Sequence, residues 1–263
     1  MMAAAHERLS QASAIIEEAA DKALHFFAAH QTVATHAKGV QDFVSEADTT
    51  VENLIRDRLA AAFPGEAIVG EEFGGQPEGA HWIIDPIDGT SNFLRGSPLW
   101  GISLGFVRNG RPEFGVVAMP VMGEIYAAAD GTGLLMNGKP LARTSPLEDV
   151  RVMSLGDNPA EDFDDAARFQ VGLRRAGWVV EAFHSTSVSL VFAARGIFDG
   201  HLQKVTTMWD IAGGAVLARE AGLEVRIGED LASRVPWIAA GTPALLAATE
   251  PLWPEIRMDH LND

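Results

Sequence analysis

The stretch Trp82-Ile83-Ile84-Asp85-Pro86-Ile87-Asp88-Gly89-Thr90-Ser91-Asn92-Phe93 constrains this chain more than any other. An apolar strand runs into a carboxylate, and Pro86, with no N–H to give to a ladder, is expected to stop the strand there. A second carboxylate follows three residues later, and Gly89 supplies a permissive backbone ahead of Thr90, where a helix is expected to start. Two carboxylates at the mouth of one strand repel each other unless a cation sits between them. Taken alone, the string reads either as a turn, because Asp-Pro and Asp-Gly are common turn dipeptides, or as part of a metal site.

Two further strings bear on that choice. Gly70-Glu71-Glu72-Phe73-Gly74-Gly75 ends another strand with paired acids, which alone would pass for a solvated loop. Trp209-Asp210-Ile211-Ala212-Gly213-Gly214 opens a late helix, where an aspartate is an ordinary N-cap. Together the three look different. Glu71, Asp85, Asp88 and Asp210 each lie at a strand end or helix start, where α/β folds gather their sites. Four oxygen donors without His or Cys among them suit a hard cation, Mg²⁺ or Mn²⁺, and not zinc. His25, His30 and His36 are five and six residues apart, which is not a zinc spacing.

Composition narrows the class. The 263 residues carry 20 Lys+Arg against 36 Asp+Glu, a net charge of −16, which argues against reading nucleic-acid phosphates with basic side chains. The absence of Cys removes disulfides, thiol nucleophiles, iron–sulfur clusters and thiolate zinc sites. The opening Met1-Met2-Ala-Ala-Ala-His-Glu-Arg has no basic stretch followed by an apolar run, and no 18 consecutive apolar residues occur. The expectation is therefore a soluble, cytoplasmic protein without a membrane partner.

Apolar residues at helical spacing predict helices from Ala3 to about Ala29 and from Asp48 to Ala62. Strands are expected at 67–69 and 82–84, then a hairpin at 100–107 and 113–118 joined by Asn109-Gly110, and a further strand at 123–129. Beyond a polar crossing at Thr144–Asp149, which contains Pro146, strands are expected at 152–155, 178–183, 200–204, 224–226 and 237–240. Helices are expected at 162–176, 186–194 and 211–221, with one more at the end. Hairpins in the first part argue against an all-parallel sheet, so the chain reads as a layered α/β or α+β protein. Its two interleaved halves are 1–143, with most of the acidic candidates, and 144–263, which supplies Asp210.

Asp85-Pro-Ile-Asp-Gly-Thr-Ser-Asn-Phe, with Gly-Glu71-Glu upstream and Trp209-Asp-Ile-Ala-Gly…Arg219-Glu-Ala-Gly downstream, resembles the inositol monophosphatase family. Val44-Ser45-Glu46-Ala47-Asp48 and Tyr126-Ala…Gly131-x-Gly…Asn137-Gly138 extend the resemblance over nearly the whole chain. It implies an α+β fold, the layered αβαβα sandwich of inositol monophosphatases and fructose-1,6-bisphosphatases. It implies hydrolysis of a small phosphorylated metabolite, inositol 1-phosphate by default, in a lithium-sensitive homodimer. On the same basis Glu71, Asp85, the carbonyl of Ile87, Asp88 and Asp210 would hold two or three Mg²⁺ ions, or Mn²⁺. Thr90, oriented by Asp48, would act with Glu71 on a metal-activated water, and the amides of Gly89 and Thr90 would cradle phosphate oxygens.

The substrate half departs from the family. Where inositol-specific members have a carboxylate for ring hydroxyls this chain has Gln203, and the family's Arg-Ser-x-Gly-Ser/Thr-Ala becomes Glu181-Ala-Phe-His184-Ser185-Thr186-Ser187. Substrate contacts are thus expected from Asp88, Gly89, Thr90, His184, Ser185, Gln203 and Asp210. Histidinol phosphate, a sugar bisphosphate and 3′-phosphoadenosine 5′-phosphate stay open beside inositol phosphate. Gly101-Ile-Ser103-Leu-Gly105 matches a serine-hydrolase elbow, but that elbow needs a sharp turn at Ser103, where a continuing strand is expected. Met136 replaces the third glycine of a dinucleotide fingerprint, and there is no Walker A string. The non-enzymatic alternative is a regulatory scaffold of the same family, against which the intact acids weigh.

Overall fold

The computed structural model describes residues 2–30, 35–39, 42–77, 79–145, 147, 149–231 and 233–257. Met1 and Pro146, singled out in the sequence, lie outside them. Helix α1 (Met2–Ala28) buries Leu9, Ala12, Ile16, Ala19 and Ala23 on one stripe, as the apolar spacing predicts. After a two-stranded pair, β1 (Thr35–Gly39) and β2 (Asp42–Ser45), comes α2 (Glu46–Ala62). A capping box starts α2: Ser45 is the N-cap and Asp48, third in the helix, accepts the Ser45 N–H at 2.9 Å.

A seven-stranded sheet follows in sequence order: β3 (Ala67–Gly70), β4 (His81–Asp88), β5 (Gly101–Arg108), β6 (Arg111–Met119), β7 (Glu124–Ala129), β8 (Leu135–Met136) and β9 (Lys139–Pro140). Only β3 and β4 pair in parallel. A one-turn helix, α3 (Thr90–Leu94), leaves the end of β4. The second sheet is built from β10 (Val152–Leu155), β11 (Val179–Glu181), β12 (Gly200–Gln203), β13 (Glu224–Glu229) and β14 (Pro236–Gly241), in the order β11-β10-β12-β14-β13. Its helices are α4 (Phe163–Arg175), α5 (Thr186–Arg195), α6 (Met208–Glu220) and α7 (Pro243–Thr249). Among the described residues no helix is long and apolar enough to cross a membrane.

The helices sort into layers. α1 and α2 cover one face of the large sheet, α5 and α6 lie between the two sheets, and α4 and α7 cover the far face of the small one. This is the expected αβαβα order. In α6 every residue from Ile211 to Ala218 is buried, which is what a helix enclosed by sheets on both sides requires. It sits unusually close to the large sheet: a Cβ on Gly115 would lie 2.1 Å from the Gly213 carbonyl oxygen, and one on Gly105 would lie 2.7 Å from Ala212 Cβ.

The structure corrects two expectations. β4 does not stop at Asp85 but runs through Pro86 to Asp88, because its register against β5 shifts between those aspartates, where proline's missing donor costs no ladder bond. α6 begins at Met208, three residues before the expected Ile211, and Thr207, not Asp210, is its N-cap. Ser103 lies within β5, fully buried, and the strand continues to Asn109 (φ 51°) and Gly110 (φ 75°), a left-handed hairpin turn. No nucleophile elbow exists there. Gly115→Ala is expected to lower stability by about 1–3 kcal/mol, the usual cost of overpacking, measured by urea denaturation.

Candidate active site

The site forms where the end of β4 meets the N-termini of α5 and α6. Asp85, Asp88 and Asp210 each place a carboxylate oxygen within 4.8 Å of the others. Asp85 and Asp88 are buried, and Asp210 is half-buried. Glu71 approaches from β3, whose Gly70 pairs with Ile84 and whose extension is tied by the Glu71 N–H to the Ile84 carbonyl at 3.1 Å. Burial pushes the Asp85 carboxyl well above the usual range, and the charges of Glu71, Asp88, Asp210 and Asp48 push it further in the same direction. Burial and the Asp88 charge raise Asp210 to about 7.

Each acid is nonetheless held. Asp88 sits on the first turn of α5: its Oδ2 accepts the Ser185 hydroxyl at 2.8 Å and the Ser187 N–H at 2.5 Å, and its Oδ1 accepts the Thr186 N–H at 3.3 Å. These bonds oppose the upward push of burial on Asp88, as does the positive end of the α5 dipole. Asp210 Oδ2 accepts from the Thr206 hydroxyl at 3.1 Å and the Thr207 N–H at 3.3 Å. Asp85 Oδ1 accepts the Ile87 N–H at 3.1 Å. An all-oxygen cluster of like charges, buried and oriented by hydrogen bonds, is the donor set of a hard divalent cation.

Beside this cluster the Thr90 hydroxyl faces two acceptors, the Ile87 carbonyl at 3.0 Å and Asp48 Oδ1 at 3.3 Å. Asp48 is fully buried, and burial raises its carboxyl above the ordinary value. Gly89 has φ 90°, and a Cβ there would lie 3.1 Å from both the His184 carbonyl oxygen and Ser185 Cβ, so backbone conformation and space both favour glycine.

Asp88, Gly89, Thr90 and Asp210 line a cleft of ≈ 760 Å³ whose walls also include Arg95, Asp157, Glu161, Phe183, His184 and Gln203. Gln203 is buried, and its amide oxygen accepts from the Thr186 hydroxyl at 2.8 Å and pairs with His201 Nε2 at 3.1 Å. Its Nε2 donates to the Val205 carbonyl at 3.1 Å, which leaves one N–H for a ligand. His201 is held neutral, with a pKa lowered to about 4 by burial, and its Nδ1 pairs with the Ser154 hydroxyl at 2.9 Å. His184 is half-exposed, has φ 53°, and reaches Asp157 across the cleft at 3.0 Å. Glu181 is exposed on β11 and is not among the cleft-lining residues.

The sequence reading missed the Ser187 and Thr186 amides, which come to Asp88 only through tertiary packing. It also gave Asn92 no role, although its side-chain amide donates to the Leu99 and Phe183 carbonyls at 2.7 Å each and so ties α3 to the His184 loop. The Thr-Thr pair just ahead of Trp209-Asp210 was the available sign that a threonine caps α6.

A sequence profile of the inositol monophosphatase family matches residues 1–248. The chain belongs to the inositol monophosphatase family. It is 34% identical over 225 residues to a fructose-1,6-bisphosphatase/inositol-1-monophosphatase of Aquifex aeolicus, covering 79% of this chain and 80% of that one. It is 32% identical over 223 residues to a histidinol-phosphatase of Chlorobaculum parvum, covering 81% and 83%. The fold superposes on the extragenic suppressor protein SuhB of Bartonella henselae with a TM-score of 0.84 at 23% identity, covering 94% of this chain and 98% of that one. Family membership, with relatives named as phosphatases, makes the chain a phosphoric monoester hydrolase.

Divalent metal is expected to stabilise the fold more as pH rises. Protons compete for Asp210, whose raised pKa of about 7 means that the folded protein holds a proton there at mildly acidic pH. The gap in melting temperature between Mg²⁺ and EDTA is therefore expected to widen between pH 5.5 and 8, reaching about 5–10 °C at a hundredfold excess over the dissociation constant. Scanning calorimetry in both buffers checks this; a gap that narrows would contradict it.

Proposed function

We propose that the protein is a Mg²⁺-dependent phosphomonoesterase that releases phosphate from inositol 1-phosphate or a closely similar polyol phosphate. The observation that carries this is the cluster of Asp85, Asp88 and Asp210 within 4.8 Å, at the base of a cleft that also presents Thr90. In this reading Glu71, Asp85, the Ile87 carbonyl, Asp88 and Asp210 hold two or three Mg²⁺ ions, with Mn²⁺ an acceptable substitute. Bound there, the ions supply positive charge for the phosphoryl oxygens and the leaving oxygen and lower the pKa of water.

The chain's own groups supply position. Thr90 has one hydroxyl hydrogen and two acceptors for it, so an oxygen lone pair is left to receive a hydrogen bond from the attacking water. Asp48 Oδ1, raised in basicity by burial, is the acceptor toward which a proton leaving that water through Thr90 can pass. The Gly89 and Thr90 amides face the phosphate, and no bond between enzyme and phosphoryl group forms. At the alcohol end, the remaining Gln203 N–H, Ser185 and the His184–Asp157 pair offer hydrogen bonds suited to hydroxyl groups.

Histidinol phosphate is the second reading, favoured by Asp157 and Glu161 on the cleft wall, which suit a leaving alcohol that carries an ammonium group. A cytoplasmic homodimer that is inhibited by lithium and binds neither nucleic acid nor membrane completes the proposal. The net charge of −16 supports the absence of nucleic-acid partners.

Phosphate release from inositol 1-phosphate, histidinol phosphate, fructose 1,6-bisphosphate and 3′-phosphoadenosine 5′-phosphate, with Mg²⁺ and with EDTA, tests the assignment. Inositol 1-phosphate is expected to be turned over fastest, and only with Mg²⁺. Asp210→Asn is expected to lower kcat by about 10²–10³-fold or more, the scale of losing one electrostatic partner of the transition state, while the far-UV spectrum stays unchanged. Near-wild-type turnover in that variant would remove the metal assignment.

A further inference from the structure

Helix α2 carries two fully buried carboxylates one turn apart, Asp48 and Glu52. The i, i+4 spacing puts both on one face. Asp48 reaches Thr90; Glu52 reaches the backbone just after Glu71. Glu52 Oε2 accepts the Glu72 N–H at 2.8 Å, and Oε1 accepts the Phe73 N–H at 3.3 Å. Arg56 completes the arrangement. Its Nε donates to Glu52 Oε1 at 2.7 Å, and its terminal nitrogens donate to the carbonyls of Ile68 and Gly74. The two side chains therefore grip backbone both before and after Glu71. Gly70 makes the approach possible, since a Cβ there would lie 2.1 Å from Glu52 Oε1.

The grip faces the metal site. The Glu71 N–H is bonded to the Ile84 carbonyl, one residue before Asp85, and the Glu71 charge is felt at the Asp85 carboxyl. A buried carboxylate that accepts two amides and a guanidinium makes charge-assisted bonds, and Arg56 compensates its charge. Nothing about Glu52 requires it to touch substrate. We propose that Glu52, backed by Arg56, is a positioning residue that holds the Glu71 carboxylate beside Asp85 and thereby sets the affinity of the site for its divalent cation. This rests on the metal reading above. A ligand arm ordered before binding adds no ordering cost when the ion arrives. Glutamine at 52 would keep one acceptor but turn an amide N–H₂ toward groups that are themselves donors, releasing the arm without touching the other ligands.

The test is Mn²⁺ binding to the intact protein, read from the paramagnetic resonance signal of the free ion. Glu52→Gln is expected to weaken binding about 10–100-fold, the range for residues that support metal ligands, and to raise the Mg²⁺ concentration for half-maximal rate by the same factor. In a Glu71→Gln background the Glu52→Gln change is expected to have no further effect, because its influence runs through Glu71. Arg56→Gln, at a partly exposed position, is expected to shift affinity in the same direction and decides the matter if Glu52→Gln does not fold. Variants that melt earlier yet bind Mn²⁺ as tightly as wild type would overturn the inference and leave the metal reading standing. A wild-type protein that binds no Mn²⁺ would overturn both.

Discussion

Mutual repulsion among Asp85, Asp88 and Asp210 is the constraint around which the rest of the molecule is arranged. Three carboxylates with oxygens inside 4.8 Å cannot all stay charged in a buried place without compensation. Part of it comes from the fold itself. The α5 N-terminus gives Asp88 three donors, and Thr206 and Thr207 serve Asp210 at the start of α6. On the proposed reading, the remainder falls to a cation. The middle helical layer exists in this form because two helix N-termini must converge on the end of one strand. The burial of α6 on every face from Ile211 to Ala218 follows from lying between two sheets.

The long helices, the Asn109-Gly110 hairpin and the acidic cluster are legible in the sequence because local chemistry announces them, whereas the pairs β1/β2 and β8/β9 are not. Asn109-Gly110 demanded a left-handed turn, and the apolar stripe of α1 matched a 3.6-residue period. Strand β4 was cut short because proline was read as an absolute stop, whereas a register shift between Asp85 and Asp88 accommodates it. The sequence places the start of α6 at Ile211, whereas Thr207 is the N-cap and Asp210 the third residue of the helix. What no local pattern could reveal are bonds between residues far apart in the chain. Ser187 meets Asp88 across 99 positions, and Thr186 meets Gln203 only because α5 and β12 pack side by side.

Gln203 shows the same limit from the other side. Its sequence position marked it as the residue facing the substrate hydroxyls, yet its oxygen belongs to Thr186 and His201 and its nitrogen in part to Val205. His201 is kept neutral by the same burial, so the floor of the cleft is an uncharged network and not a charged clamp. Charged side chains on the cleft lining come instead from Asp157, Glu161 and Arg95.

The seat of α6 on the large sheet has a consequence for how such an enzyme changes over generations. Gly115 and Gly213 touch backbone to backbone, so there is no side chain at that contact to vary. At its far end, about 15 Å from Asp210 along the helix axis, α6 is moored by Glu220, which accepts the Gly131 and Gly133 N–H groups, and by Arg219 on Asp130. The seat of α6, which presents Asp210, is thus built of close contacts that leave little room for added side chains. On the proposed reading the alcohol end mixes the buried Gln203 of β12 with loop side chains, among them His184 in a backbone conformation that most residues avoid. On that reading, point changes at the loop positions alter the alcohol end without disturbing the glycine contact that seats α6.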